Sequence, residues 1–344
     1  MKSLALKANQ AYLFNDSVSI KYFTSYNLAE GYIVFTDKPV CFTDARYFYA
    51  AKQELGKSNI ECLLLKSLED IANYLKSISV NTIFVDYHKV SVSLYNNLLS
   101  FGFNVQDGHQ SYYSLRSVKS EQEIADITKA CEITQKAFYE AIQQIKVGIT
   151  ELELKEKIDS LCISYGAESS SFDTIVAFGA NSAVPHHVTG KTKLTANSVI
   201  LVDTGCVCNG YRSDLTRTVF FGEPTEHFVN CYNAVLQSNQ IAIDNITEGM
   251  SCIKADSFAR DFLAEHNLSQ YFTHSLGHGI GLEVHEYPTL SPKCDGVLKN
   301  NMVFSIEPGV YFDGQFGIRI EDTVVLTKNG IKRLFTDDKK LVIL

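Results

Sequence analysis

Four carboxylates in two apolar, strand-like segments, with a histidine-glycine stretch between them, are where this chain could do chemistry. The first segment, VILVDTGCVCNGYRSDLTRTVFFG, carries Asp203 and Asp214. The second, NMVFSIEPGVYFDGQFGIRIEDTVVL, carries Glu307 and Glu321. Between them lies HSLGHGIGLEVHE, with His274, His278 and His285. An acid inside an apolar segment is costly unless a cation meets it there. Any one of these acids would pass as an ordinary hairpin surface position, but four in two apolar strand pairs do not. Together with a histidine they form the ligand list of a two-metal site. Four negative charges on one face repel and raise each other's pKa, and two divalent ions cancel them. An oxygen-rich ligand set favours a harder ion, so Mn²⁺ fits better than thiolate-selected Zn²⁺; Co²⁺ and Zn²⁺ are the other candidates. A water or hydroxide bridging ions roughly 3.5–4 Å apart is then a nucleophile at neutral pH.

Strand geometry constrains these acids. Side chains alternate faces along a strand, so parity decides which residues share one. A turn at Cys208-Asn209 places Asp203 opposite Asp214. A turn at Asn209-Gly210, the better turn dipeptide, pairs Asp214 with Gly205, one diagonal step from Asp203. Either register leaves both acids on one face, roughly 4.5–8 Å apart at Cβ. In the second segment a two-residue turn at Asp313-Gly314 would put Glu307 and Glu321 on opposite faces. An odd loop or a bulge near Gly314 is therefore predicted.

The elements that position these residues fall into two regions, as a length of 344 residues suggests. Residues 1 to about 115 alternate strands (GYIVFT, KPVCFT, ECLLLK, NTIFVDY, FNVQDG) with helices (RYFYAAKQEL, LEDIANYLKSI, VSLYNNLLSFG). This is a small α/β domain without catalytic residue types in combination. His88 and His109 read as lone structural or surface histidines, and Asp44 as a local ion pair with Arg46 or a group facing a neighbouring domain or subunit. At Ser120 the texture changes. Ser120-x-x-Glu123 and Thr150-x-x-Glu153 are capping boxes, the first opening a helix with Ile124, Ile127, Cys131, Phe138, Ile142 and Ile145 at helical spacing. The second opens a helix burying Ile158, Leu161, Cys162 and Tyr165 before Gly166. The domains are assigned as 1–117 and 118–344.

The second region repeats itself. IKVGIT at 145–150 aligns with ITEGMS at 246–251, each after one long helix and before another. Each half then carries a histidine segment, SAVPHH or GLEVHE, and an acidic hairpin. The expected fold is a duplicated helix-helix-hairpin unit on a curved antiparallel sheet, α+β in class, with the metals between the halves.

Composition narrows the function. A net charge of −8 without a Lys/Arg-rich run gives no footprint for nucleic acid. The apolar runs are strand-sized, too short for a transmembrane helix. Lys7, Asn9 and Gln10 break any signal core at the start. Nine scattered cysteines without a framework point to a reducing cytoplasm. Cys206 and Cys208 read as buried thiols rather than ligands.

At these motifs the chain resembles the pita-bread metallopeptidases, in particular the proline-specific branch of aminopeptidase P and prolidase. The likeness runs through RSVKSEQEI, VAFGANSAVPHH, VILVDTG, YRSDLTRT, THSLGHGIGLEVHEYP, SIEPG and GIRIED. It implies Asp203, Asp214, His278, Glu307 and Glu321 as ligands of two metal ions. It implies His186, with His187 as competitor, at the scissile amide, and His285 as donor to the carbonyl oxygen as it becomes tetrahedral. His274 would line the substrate side, Arg319 would hold a ligating acid, and Glu307 would accept the nucleophile's proton. The implied activity is removal of an N-terminal residue at an Xaa-Pro bond by a bridging hydroxide, the enzyme being an Xaa-Pro aminopeptidase and a homodimer. The alternatives are a prolidase restricted to Xaa-Pro dipeptides and a metal-free binding pseudo-enzyme; the latter would lose ligands, and all five are present.

Overall fold

The computed structural model describes residues 4–344. The chain forms two compact units, Met1–Leu115 and Arg116–Leu344.

The first unit is a six-stranded mixed sheet in the order β4-β3-β2-β1-β5-β6. Its strands are β1 (Gln10–Phe14), β2 (Tyr32–Phe35), β3 (Pro39–Thr43), β4 (Glu61–Leu64), β5 (Thr82–Val85) and β6 (Asn104–Asp107). Helices α1 (Ser17–Thr24), α2 (Phe48–Gly56), α3 (Leu68–Ser77), α4 (Val92–Ser100) and α5 (His109–Ser117) join or follow them. The β2–β3 pair is antiparallel, whereas β4 and β6 join in parallel, and two apolar clusters build the core. The strands and helices read from sequence are present. The reading missed β1, α1 and α5; at β1 the polar residues Lys7, Asn9 and Gln10 mask a short central strand. Asp44 accepts from Arg46 Nε at 3.1 Å, and the same guanidinium reaches Glu30 at 2.5 Å. That is a local ion pair. His88 and His109 are not isolated: their ring centroids lie 4.2 Å apart, and His109 Nδ1 is 3.0 Å from Asp86.

The second unit is built twice. Helices α6 (Glu121–Ile142) and α7 (Glu151–Ser164) open the first half; α8 (Glu226–Asn245) and α9 (Cys252–Glu265) open the second. Both capping boxes form, Ser120 Oγ accepting from Glu123 N–H at 3.3 Å and Thr150 Oγ1 from Glu153 N–H at 3.1 Å. The interhelix turns match bond for bond. Gly148 N–H donates to Leu194 O and Gly249 N–H to Leu298 O, both at 2.9 Å. Leu194 N–H returns to Ile149 O and Leu298 N–H to Met250 O, both at 2.8 Å. The faint sequence repeat is thus a structural one.

The strands of this unit are β7 (Ser169–Ser170), β8 (Ile175–Phe178), β9 (Ser198–Thr204), β10 (Cys206–Cys208), β11 (Tyr211–Arg212), β12 (Leu215–Phe221), β13 (Gly277–Gly279), β14 (Glu286–Leu290), β15 (Val303–Ile306), β16 (Gly309–Phe312), β17 (Phe316–Arg319), β18 (Asp322–Thr327) and β19 (Gly330–Arg333). The larger ladders follow the orders β12-β9-β8 and β14-β13-β15-β18-β19, antiparallel throughout. They meet where Glu321 N–H donates to Thr216 O at 3.1 Å. Each half has its own core. Ile127, Phe138 and Ile158 pack on Val176, Ile200 and Val219; Phe228, Val235 and Leu263 pack on Phe304, Ile306 and Val324. Each such fully buried side chain contributes about 1.5–3 kcal/mol.

Behind the seam lies a buried ion cluster. Asp322, fully buried, accepts from Arg217 Nη2 at 2.9 Å and Arg333 Nε at 2.7 Å, with Lys339 Nζ at 2.9 Å. Arg217 also donates to Glu321 O at 2.5 Å, so the cluster fixes the strand start that carries Glu321. Removing one member of a buried cluster strands the others without compensation. Asp322→Ala is expected to destabilise the protein by about 3–5 kcal/mol, read as a fall in the chemical denaturation midpoint.

Candidate metal centre

The registers deliver the acids to one place. Cys208 pairs with Tyr211 across a two-residue turn at Asn209-Gly210, both with positive φ (51° and 81°). This is the primed turn that matches strand twist. Thr216 accordingly lies opposite Asp203, and Asp214 sits one diagonal step away, as the second of the two sequence registers requires. In the second hairpin Phe312 pairs with Phe316 across the three residues Asp313–Gln315, with Gly314 at φ 67°. The predicted odd loop is there, and the β15–β18 ladder keeps the same register, aligning Ile306 with Asp322. Glu307 and Glu321 follow in step.

His278 joins from β13. Gly277 and Gly279 flank it where no Cβ fits: one on Gly277 would stand 1.9 Å from Ser305 O, one on Gly279 2.4 Å from Tyr287 O. His278 Nδ1 faces Gly279 O at 3.1 Å. A carbonyl only accepts, so Nδ1 carries the proton and Nε2 is presented to the acids. That nitrogen lies 3.2 Å from Glu307 Oε1 and 3.7 Å from Asp214 Oδ2. One ligand atom each from Asp214, His278 and Glu321 lie within 4.8 Å of one another.

The electrostatics of this cluster describe a cation site. Burial, then the neighbouring Glu321, Asp203 and Glu307, push the Asp214 carboxyl well above its usual range. Burial followed by Glu307 and Asp203 does the same to Glu321. Burial opposes ionisation of Glu307 too, but the His278 hydrogen bond and charge hold it near 2; His278 in turn is raised against burial to about 9. Two buried oxygens, Asp203 Oδ1 and Glu321 Oε1, have no hydrogen-bond donor. Such orphaned acceptors are costly. A pair of divalent ions ligated by Asp203, Asp214, His278, Glu307 and Glu321 would satisfy both atoms and offset the repulsion, so the donor set fits the group.

Neighbouring groups hold the acids in place. Arg319 donates to Asp203 Oδ2 at 2.5 Å, Thr216 Oγ1 at 2.9 Å and Tyr311 Oη at 2.8 Å. Thr216 Oγ1 donates to Glu321 Oε2 at 2.8 Å, and Ser305 Oγ to Glu307 Oε1 at 2.9 Å. Tyr311 escaped the sequence reading. It links Arg319 to His274, whose Nε2 lies 2.9 Å from the phenol oxygen while Nδ1 faces Ser275 O at 2.8 Å. Burial pushes the Tyr311 phenol up to about 12, so it stays a neutral donor. Its only signal was a tyrosine on the strand after SIEPG.

The remaining histidines approach the same centre. The His285 ring centroid is 4.3 Å from that of His278. His186 is exposed, whereas its neighbour His187 turns to Glu151 at 3.0 Å. Burial lowers His274 and His285, and each also feels the charge of His186. Cys206 and Cys208 are buried in the first-half core, with Cys206 Sγ donating to Ala130 O at 3.3 Å; they are structural thiols. Among the described residues no helix is long and apolar enough to cross a membrane.

A model of the creatinase/prolidase N-terminal domain matches residues 2–118, and one of metallopeptidase family M24 matches residues 125–328. The chain belongs to metallopeptidase family M24. An Xaa-Pro dipeptidase of Pyrococcus furiosus is 36% identical over 94% of this chain and 93% of its own. Among solved structures, an X-Pro aminopeptidase from Thermotoga maritima is 34% identical with a TM-score of 0.89, covering 97% of both chains. An Xaa-Pro dipeptidase from Bacillus anthracis is 30% identical with a TM-score of 0.93, over 97% of this chain and 95% of that one.

Two of the M24 histidine segments are anchored by buried acids outside the cluster. Asp256 accepts from Leu276 N–H at 3.0 Å and Arg260 Nε at 2.7 Å, and Arg260 also donates to His274 O at 2.8 Å. Glu286, next to His285, accepts from Lys119 Nζ at 2.7 Å, from Glu283 N–H at 3.0 Å and from Arg116. Burial would raise the Glu286 carboxyl, yet Lys119 and Arg116 hold it down at about 2, from an ordinary 4.5. A depressed carboxyl stabilises the fold fully above the unfolded value and loses that effect as pH falls toward the folded one. Glu286→Gln is therefore expected to destabilise at neutral pH by about 3–5 kcal/mol. The gap from the parent should narrow as pH falls from 4.5 toward 2, followed as urea midpoint against pH.

Proposed function

We propose that this chain is an Xaa-Pro dipeptidase, a prolidase, working with two divalent ions, Mn²⁺ by preference. The observation that carries the reading is the convergence of Asp214, His278 and Glu321, whose ligand atoms lie within 4.8 Å of one another, together with two buried oxygens without donors, Asp203 Oδ1 and Glu321 Oε1. Relatives described as Xaa-Pro dipeptidases supply the substrate class. They move the weight from the Xaa-Pro aminopeptidase favoured on sequence to its dipeptide-restricted alternative; the Thermotoga likeness keeps the longer-peptide activity as second reading. Retention of all five ligand positions argues against a metal-free pseudo-enzyme. The homodimer rests on the family likeness alone, and the reducing cytoplasm on nine scattered thiols.

Asp203, Asp214, His278, Glu307 and Glu321 would hold the ions, which when bound lower the pKa of water and polarise a carbonyl. The protein's own groups do the rest. Glu307, already hydrogen-bonded by Ser305, would take the proton released by the attacking water and hand it to the proline nitrogen. That nitrogen, lacking an N–H in the peptide, must gain a proton to leave. His285 would donate to the carbonyl oxygen as negative charge grows there, and its lowered pKa keeps a neutral imidazole available at pH 7. His186 would contact the scissile amide, and His274, oriented by Tyr311, would line the substrate side. Arg319 holds Asp203 in place through its hydrogen bond to Oδ2.

After loading with Mn²⁺ the protein is expected to bind two ions per chain by elemental analysis and to hydrolyse Gly-Pro, with chelation abolishing turnover. Asp214→Asn should lower kcat/KM by more than about 100-fold. A faster reaction with Arg-Pro-Pro than with Gly-Pro would favour the aminopeptidase, and a folded chain that takes up no metal would end the peptidase reading.

A further inference from the structure

Glu151, the first residue of α7, is the least expected carboxylate in the second unit. Its side chain is fully buried, and among the described residues its one ion-pair partner is His187. Burying a carboxylate is costly unless its lone pairs are met, and here they are all met by one segment. Oε1 accepts from Phe178 N–H at 2.9 Å and Asn181 Nδ2 at 2.7 Å; Oε2 accepts from Gly190 N–H at 3.1 Å and faces His187 Nε2 at 3.0 Å. The same segment is held from the metal side. Arg319 Nη1 donates to Pro185 O at 3.3 Å, and Gly317 N–H to Ser182 Oγ at 2.8 Å. His186 thus stands between two tethered neighbours, Pro185 tied to the arginine that grips Asp203 and His187 tied to Glu151.

We propose that Glu151 is a positioning residue that acts through His187 and the 178–190 segment to hold His186 at the substrate. The inference rests on the peptidase reading above. The Glu151 oxygens accept from Phe178, Asn181 and Gly190, and as an acceptor for His187 too Glu151 fixes a proton on Nε2 and holds that ring against the start of α7. A glutamine in its place keeps one acceptor oxygen and turns an amide N–H₂ toward donors it cannot satisfy. The segment then loosens where His186 is carried, while the five metal ligands keep their own partners.

The test is a kinetic cycle with Gly-Pro and the Mn²⁺-loaded enzyme, comparing the parent, Glu151→Gln, His186→Ala and the double variant. Glu151→Gln is expected to lower kcat by about 10- to 100-fold, the scale of an ångström-level misplacement, with metal content unchanged. In the His186→Ala background the same change should alter kcat by less than about twofold, because residues acting as a unit are non-additive. His187→Leu removes one tether of four and should give a smaller loss in the same direction if Glu151→Gln does not fold. An undiminished effect of Glu151→Gln without His186, or none in the parent, overturns the proposal. Imidazole ¹⁵N spectra read the positioning without turnover, so an inactive parent enzyme would sink the peptidase reading separately. A His186 signal that shifts or broadens in Glu151→Gln supports the role, and an unchanged one refutes it.

Discussion

Mutual repulsion among four carboxylates in a low-dielectric pocket is the constraint around which the second unit is organised. Two like charges about 4 Å apart at an effective dielectric of about 20 cost about 4 kcal/mol; here Asp214 and Glu321 bring oxygens within 4.8 Å, and Asp203 and Glu307 add to the repulsion on both. Marginal protein stability leaves little room for that. Three of the four acids therefore have a close hydrogen-bonding or charged partner, Arg319 for Asp203, Thr216 for Glu321, Ser305 and His278 for Glu307, while Asp214 has His278 Nε2 at 3.7 Å. Those partners still leave Asp203 Oδ1 and Glu321 Oε1 unmet. The protein stabilises the cluster enough to fold around it, yet leaves two acceptors that a cation would meet.

Rigidity follows from the same need. A carboxylate that could swing away would relieve the repulsion, and the site would be lost. The acids sit on or beside ladder strands whose alternation fixes their face, and the seam between the two sheets is closed by Glu321 itself, whose backbone N–H donates to Thr216 O. Just behind, Asp322 faces the opposite way into three cations. Adjacent residues on one strand thus carry opposite electrostatic tasks. Glu321 faces a centre short of positive charge, and Asp322 a cluster rich in it, as the period-two alternation of a strand demands.

Much of this was legible in the chain, for local reasons. The Asn209-Gly210 turn fixes the first register because few dipeptides adopt paired positive φ, and parity alone required an odd loop near Gly314. The capping boxes at Ser120 and Thr150 mark helix starts through their own side chains. What stayed hidden depends on residues meeting from far apart. Tyr311 is an unremarkable strand tyrosine until His274 and Arg319 reach it. Thr216 looks like ladder filling, yet it bridges Arg319 and Glu321. His186 and His187 are the same residue type side by side, and the group that separates them, Glu151, reads in sequence only as an acid in a helix's first turn.

The duplication explains why the two halves could diverge in role without losing the fold. Both keep the helix-turn-helix hydrogen bonds and the antiparallel ladders, since each half must bury its own apolar face. What differs is the residue that begins the second helix after an equivalent cap. After Thr150 it is Glu151, which holds a histidine segment; after Ser251 it is Cys252, a buried thiol. The second half anchors its histidine segments with Asp256, one turn further along the helix, and with Glu286 on a strand. The same need, a fixed imaginary line from scaffold to imidazole, was met at different positions in each copy. A buried acid is well suited to that, because its two oxygens gather several N–H donors from one loop segment at a single point.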